Sequence, residues 1–486
     1  MMSLLPTERI ALIVLSGCFW AAGRSPELVG AEVWPQFRGP QGAARSDSPR
    51  KLPDRLGVDT RVVWKVALPP GHSSPVLSAD HVYLTAVKDR QLVTLAVDRG
   101  TGTRLWEAVA SYDKLEAIHR IGSHAQASPV TDGERVISFF GSCGLLCYDR
   151  QGQLLWRKPM GPFNNDFGAA ISPLISGDRV ILCQDHDTGS FLESIDKRTG
   201  RTIWRTDRSE FPRNYCTPVI VTVAGRKQIV VAATLRVVAY DFESGREVWT
   251  VRGIARAACC SPAIDRDGTL YIASYAGGGE PGARIRVPEF TEVATARDTN
   301  QNGTLEADEL EEGGPIRRRF SQVDRDKTGT ITRGEYEYFR KLFAKSRNVV
   351  VAITPGGHGD VTRSRVTWES TKFVPFIASP VAVNGHVFTV KDGGILTSFD
   401  AATGQPVLTK RLPATGNYYS APVAGDGKLY LINERGQMTV VRALGTWSVI
   451  SKSEFGESVY ATPAIADGQI YVRTSGHLYC FGRDES

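Results

Sequence analysis

A small-residue pair followed by Pro and an apolar residue recurs along nearly the whole chain. The prolines are Pro75, Pro129, Pro173, Pro218, Pro262, Pro380, Pro422 and Pro463, with separations of 54, 44, 45, 44, 118, 42 and 41 residues. A period of about 40 to 45 residues marks a supersecondary unit that cannot bury its own faces and must stack on copies of itself. One interval carries some seventy residues more than the period explains.

Every unit has the same grammar. In the unit opened by Ser172-Pro173, Val180 to Cys183 reads as a second strand and the third ends at Asp196. Lys197 to Gly200 then turns into a fourth strand bearing Trp204. Asp98 and Trp106, Asp149 and Trp156, and Asp241 and Trp249 keep the offset of seven or eight residues. Asp can bond backbone amides within such a turn, Gly supplies positive φ, and the indole fills the wedge between adjacent sheets. The Trp residues therefore read as packing elements rather than cofactor contacts. Four strands per unit and eight units predict an all-β, eight-bladed β-propeller. The last unit ends at Cys480-Phe481 without a Trp strand, and Arg61 to Trp64 supplies it from the other end of the chain. The ring is thus expected to close with an N-terminal strand that protects an open edge.

Bulk properties narrow the setting. A formal net charge of +6 with no basic run interleaved with aromatics argues against nucleic acid as a partner. The compact cluster Arg317 to Arg319 sits between acidic loops and reads as charge balance. Residues 1–31 read as an export signal: Arg9, the apolar stretch Ile10 to Ala22, then small residues up to Ala31. The same segment also reads as a lipobox, Leu15-Ser16-Gly17-Cys18, which would make Cys18 a lipid anchor. No later segment approaches the ~20 apolar residues of a membrane span. The mature chain is thus expected in the periplasm or cell envelope, as a soluble protein or an outer-membrane lipoprotein. The eight cysteines lack the spacing of a disulfide scaffold.

The repeat resembles the PQQ-repeat (pyrroloquinoline quinone) β-propeller family, whose unit looks like Ser-Pro, a Gly turn, an apolar strand, Asp-x-x-Thr-Gly and Trp. The resemblance covers roughly residues 60 to 486 apart from the insertion. Trp34 to Pro40 also looks like the mature N-terminus of exported members. Pro406-Val407-Leu408 departs from the pattern where Trp is expected, and the seventh unit lacks its Asp. The family includes quinoprotein alcohol dehydrogenases and BamB-like lipoproteins, which are non-enzymatic scaffolds of outer-membrane protein assembly. On this organisation residues 32–60 form a lead segment and 61–275 the first blades. Residues 276–346 form an insertion in blade five, and 347–486 complete the ring.

The insertion carries two twelve-residue loops. Asp298, Asn300, Asn302 and Glu309 stand at positions 1, 3, 5 and 12 of the first, with Gly303 at 6 and the Thr304 carbonyl at 7. Asp324, Asp326, Thr328 and Glu335 repeat the set, with Gly329 at 6 and the Thr330 carbonyl at 7. This is the EF-hand pattern, in which six or seven oxygens surround Ca²⁺ and the Gly lets the last Glu fold back. The loops start 26 residues apart, so the intervening helices are short. A stabilising site is favoured over a sensor, in the range of extracellular modules at about 10⁻⁴ to 10⁻³ M. The loops replace the second-to-third strand hairpin of blade five and should overhang the face that carries the inter-blade loops.

Those loops also place a ring of residues three before each Pro. His72, Gln126, Tyr215, Tyr419 and Tyr460, with Ala170, Cys259 and Ile377, would line the axial mouth, with Arg213, His124 and Asn417 nearby. Such a ring reads as a polar-aromatic ligand site or as a plug of the channel. Cys259-Cys260 invites comparison with the vicinal disulfide of the dehydrogenases. Cys260 nevertheless falls in a small-residue column shared with Cys216, which reads as structural. The expected function is a non-catalytic binding or scaffold propeller that presents the insertion-bearing face to a protein or envelope partner. The alternative is a PQQ-dependent dehydrogenase using the axial pocket.

Overall fold

Each Ser/Thr/Ala-Pro mark opens a blade of four antiparallel strands in the computed structural model, which describes residues 31–165, 167–280 and 284–482 together with Met1. Blade one runs Val76–Leu77, His81–Lys88, Gln91–Asp98 and Arg104–Ala110 from the axis outward. Its two middle strands are apolar runs buried almost throughout, because neighbouring blades cover both faces. Outer strands such as Thr202–Asp207 are largely exposed. Blade eight is completed by Val62–Ala67, which pairs with His477–Phe481 and sets Trp64 opposite Cys480. The chain is therefore an all-β, eight-bladed propeller closed by an N-terminal strand, as the repeat grammar requires. The expected signal segment and Cys18 lie outside the described residues.

A ring of hydrogen bonds encircles the axis. The backbone N–H of the residue before each Pro donates to the hydroxyl of the equivalent residue in the next blade. Ser74 thus donates to Ser128, Ser128 to Ser172, Ser172 to Thr217, Thr217 to Ser261 and Ser261 to Ser379, at 2.9–3.1 Å. Ala421 then donates to Thr462 and Thr462 to Ser74, at 3.0 and 2.9 Å. Ala421 itself has no hydroxyl, so the circuit is interrupted once, between blades six and seven.

A second contact between blades lies at the rim. The indole N–H of Trp64, Trp106, Trp156, Trp204 and Trp368 donates to a carbonyl in the third-to-fourth strand turn of the following blade, at 2.8–3.2 Å. The ring lies flat on that turn's glycine: a Cβ on Gly404 would come within 2.3 Å of Trp368, and one on Gly102 within 2.7 Å of Trp64. Trp249 differs. Blade five lacks the Asp turn, and its third-to-fourth strand connection adds Gly359–Asp360 as a parallel fifth strand beside Trp249. That indole bonds Gln228 Oε1 instead, at 2.8 Å.

The lead segment crosses the face opposite the inter-blade loops. Trp34 exchanges backbone bonds with Leu77 in blade one, and Ser46 donates to Ala424 O in blade seven. Between them the buried Arg38 gives its guanidinium to the carbonyls of Ser261, Pro262 and Pro380.

Blade five places the insertion between Leu270–Ser274 and Val349–Ile353. The helices Phe290–Arg297, Phe320–Val323 and Arg333–Lys345 have their own core, including Leu305, Ile331, Tyr336 and Phe339.

Two outcomes follow from the packing. Ser261→Ala strips the Thr217 amide of its acceptor in a buried ring and should cost about 1–3 kcal/mol, whereas Ala421→Ser offers Ser379 the missing hydroxyl and should gain about 0.5–1.5 kcal/mol. Urea midpoints at unchanged m-value measure both. The turn carboxyls of Asp98, Asp196, Asp241 and Asp400 are held below the ordinary range by hydrogen bonds, led by the Thr101 amide in the first and by the Thr199, Ser244 and Thr403 hydroxyls in the others. Their stabilisation is present above the unfolded carboxyl value of 3.8 and is lost as pH falls through the depressed folded values. Thermal midpoints should thus drop as pH falls below about 4, and Asp→Asn at these four turns should flatten that dependence.

Candidate functional site

All eight residues three before the prolines line one axial cavity of about 270 Å³. His72, Gln126, Tyr215, Tyr419 and Tyr460 are brought together there with Ala170, Cys259 and Ile377. His72 stacks on Tyr460 with ring centroids 4.2 Å apart, and Tyr460 stacks on Tyr419 at 5.5 Å. Tyr215 donates its hydroxyl to Asn165 Oδ1 at 2.8 Å, and Gln126 Oε1 accepts from the Ser123 amide at 3.2 Å. The hydroxyl ring forms a deeper tier. Each of its members accepts one amide and keeps its own O–H to donate. Phe37 of the lead segment also reaches the lining, as do Phe167 and Phe376 from inter-blade loops. Sequence periodicity does not reveal these three, because none occupies a repeated position.

Arg213, His124 and Asn417 were expected near this mouth but are not part of its lining. Arg213 is forked onto Asp187 with both N···O distances 2.5 Å. Asn417 donates to both carboxylate oxygens of Glu434 at 3.0 Å.

Burial, followed by the Arg473 charge, pushes the His72 imidazole down to about 4. Burial pushes the Cys259 thiol up to about 12 and raises the Tyr419 phenol. At neutral pH these groups are therefore uncharged and poorly placed to exchange protons. The cavity can stack a planar or apolar group and hydrogen-bond its edges. Cys260 turns away from it, its Sγ lying 3.5 Å from the carbonyls of Ile377 and Ala378. The described lining holds no Asp or Glu.

The two twelve-residue loops stand back to back, with Leu305 N to Ile331 O at 3.0 Å and the reciprocal bond at 2.8 Å. Their internal bonding is parallel. Asp298 accepts from the amides of Asn302 and Gly303 at 3.2 and 3.0 Å, and Asp324 from those of Thr328 and Gly329 at 3.1 Å each. Asn300 and Asn302 each turn an amide oxygen inward, onto the amides of Asn302 and Thr304. Glu309 folds back onto the amides of Thr299 and Glu306, and Glu335 onto those of Arg325 and Thr332. Gly303 and Gly329 take φ of 79° and 86°, which allows the reversal. Asp324, Asp326 and Glu335 bring carboxylate oxygens within 4.8 Å of one another. Thr328 Oγ1 and Thr330 Oγ1 are 3.3 Å apart, on the same loop. An all-oxygen set of this kind suits a hard divalent cation.

The second loop is also bound to the propeller. Arg325 donates to the carbonyls of Asp187 and Ser209 at 3.2 Å each, Lys327 approaches Asp187 Oδ2 at 3.7 Å, and Tyr338 donates to Glu210 O at 3.1 Å. These partners lie in the second-to-third strand hairpin of blade three and in the connection to blade four.

The chain is similar to known proteins along most of its length. The family model described as outer membrane protein assembly factor BamB matches residues 57–165, 91–314 and 346–483. The factor of that name from Yersinia pestis is 22% identical over 68% of this chain and 78% of its own length. The one from Shewanella oneidensis is 24% identical over 45% of this chain and 52% of its own length. The crystal structure of BamB from Moraxella catarrhalis superposes with a TM-score of 0.57 at 14% identity, covering 87% of this chain and 98% of that one. A quinohemoprotein alcohol dehydrogenase from Pseudomonas putida HK5 shares the fold at a TM-score of 0.51 and 13% identity, covering 93% of this chain and 80% of that one. With eight blades built on the repeated Pro and Trp marks and the family model matched across nearly the whole ring, the chain belongs to the BamB-like family of PQQ-repeat β-propellers.

Proposed function

We propose that this chain is an exported, non-catalytic propeller of the cell envelope that binds a protein partner through the face carrying the insertion, with Ca²⁺ held in its two loops. The observation that carries this reading is the BamB family match across the propeller, outside residues 315–345. The names of its relatives place them in outer membrane protein assembly. Burial holds the His72 imidazole neutral at pH 7, which suits a mouth that stacks on a ligand and hydrogen-bonds its edges. No helix among the described residues is long and apolar enough to cross a membrane. The dehydrogenase reading separates cleanly by experiment. Purified protein given PQQ and Ca²⁺ should show no stoichiometric quinone absorbance and no dye-linked alcohol oxidation, while proximity labelling in the native envelope should mark envelope proteins. Stoichiometric quinone uptake with turnover would replace the scaffold assignment.

In this reading Asp298, Asn300, Asn302, Glu309 and the Thr304 carbonyl hold one cation, and Asp324, Asp326, Thr328, Glu335 and the Thr330 carbonyl the other. When bound, calcium supplies positive charge that ties the ends of each loop together, so it stabilises the insertion by mass action. The gain is about 1.4 kcal/mol per site at ten times Kd. Calorimetry on Glu309→Gln combined with Glu335→Gln should lose the calcium heat, and added calcium should raise the melting temperature of the parent protein but not of the double variant. Undiminished binding in the double variant refutes these ligands.

A further inference from the structure

The crevice between the insertion and the propeller holds a positive charge that the chain leaves unpaired. Asp187, Arg213 and Arg256 bound it on the propeller side, and Arg325, Glu335 and Tyr338 on the insertion side. Its volume is about 40 Å³, and since one water needs about 10–15 Å³, three waters or one oxyanion group would fill it.

The cations around it differ in how they are satisfied. Arg213 is forked onto Asp187, and Arg325 is spent on the carbonyls of Asp187 and Ser209. The carboxylate of Glu335 is taken by the Arg325 and Thr332 amides and the Thr332 hydroxyl. Arg256 has none of these partners. Its Nε is buried without a hydrogen bond, and no carboxylate pairs with its guanidinium among the described residues. It packs on Phe343 at 4.4 Å from the ring centroid, and Arg319 approaches the same ring at 5.4 Å. Burial and then repulsion from Arg319 push Arg256 down to about 10. By contrast, two fully buried arginines near the axis are solvated by the chain itself. Arg38 holds three carbonyls, and Arg473 holds those of Ser73, Thr85 and Pro69. A buried guanidinium N–H without an acceptor is costly, and the planar fork that carries it matches the two oxygens of a carboxylate or phosphate.

We propose that this crevice binds a small oxyanion, a phosphate or carboxylate group, on the Arg256 guanidinium, with Arg319 across Phe343 as the second positive charge. The bound group joins the insertion to the propeller.

Titration calorimetry with inorganic phosphate and, separately, with a terminally blocked peptide containing a single Glu distinguishes a free anion from a partner's side chain. Chloride at equal ionic strength is the reference. The full-length protein should bind one equivalent of at least one probe. Arg256→Met, which keeps the packing on Phe343, should weaken that binding at least tenfold, and Arg319→Gln should weaken it several-fold. Arg266→Gln, an exposed guanidinium paired with Asp47, should leave it unchanged. Near-UV circular dichroism checks the fold, and Arg319→Gln carries the test alone if Arg256→Met does not fold. Saturable binding of neither probe, or equal affinity in both crevice variants, overturns the proposal.

Discussion

The fold depends on a circuit of amide-to-hydroxyl bonds at its narrowest radius. Near the axis the inner strands are only two to five residues long, too short to fix blade angle through their own ladders. Proline at the following position sets φ and has no N–H to satisfy, so the preceding residue controls the junction. Its amide points to the next blade and its hydroxyl receives the amide from the previous one. Ser and Thr are the small side chains that can accept in this way, which is why the mark repeats while most of the blade varies. A circuit closes only if the number of blades is right, so the same bond that joins neighbours also counts them.

At the rim the geometric problem is reversed, because blades diverge outward and leave a wedge to be filled. The indoles fill it, and their N–H groups find carbonyls in the neighbouring turn. Glycine in that turn serves two demands at once, a positive φ and the absence of a Cβ beneath an aromatic ring. Where Trp is missing, other material takes its place. Ser451 and Ser453 on the outer strand of blade seven donate to the carbonyls of Asp54 and Leu56 from the lead segment. In blade six Ser398 donates to Gly445 O.

Blade number, the closing strand at Trp64 and the ring from His72 to Tyr460 were legible in the sequence because each rests on local patterns at a fixed offset. The loops 298–309 and 324–335 share their internal hydrogen bonding, as two copies of one twelve-residue pattern do, and the metal they would hold belongs to the proposal. Phe37, Phe167 and Phe376 were not legible, since they reach the cavity from segments whose position depends on closure of the whole ring. Arg213 and Asn417 show the converse: proximity in sequence to the mouth placed them near it, but carboxylates at Asp187 and Glu434 turned them elsewhere. Trp249 carries the regular Asp offset and still lacks the regular partner, because the next blade has replaced its turn. A pattern read within one unit cannot report what the neighbouring unit supplies.

The same limit separates the two loops of the insertion. By side-chain type the first loop, with oxygens from Asp298, Asn300 and Asn302 before Glu309, is at least as rich in the donors proposed for calcium as the second, where Thr328 stands at the third of these positions. Their surroundings reverse that order. Arg325 and Lys327 alternate with Asp324, Asp326 and Thr328 along the loop; Arg325 reaches Asp187 and Ser209 on the propeller, and Lys327 reaches Asp187. Ordering of the second loop and its docking on blade three therefore reinforce each other, because fixing Arg325 for one fixes it for the other. The first loop is held through the Leu305 and Ile331 bridge, with side-chain bonds confined to its own residues and to Arg317 within the insertion. The insertion is thus tied to the propeller through its second loop, and its first loop is tied to the second.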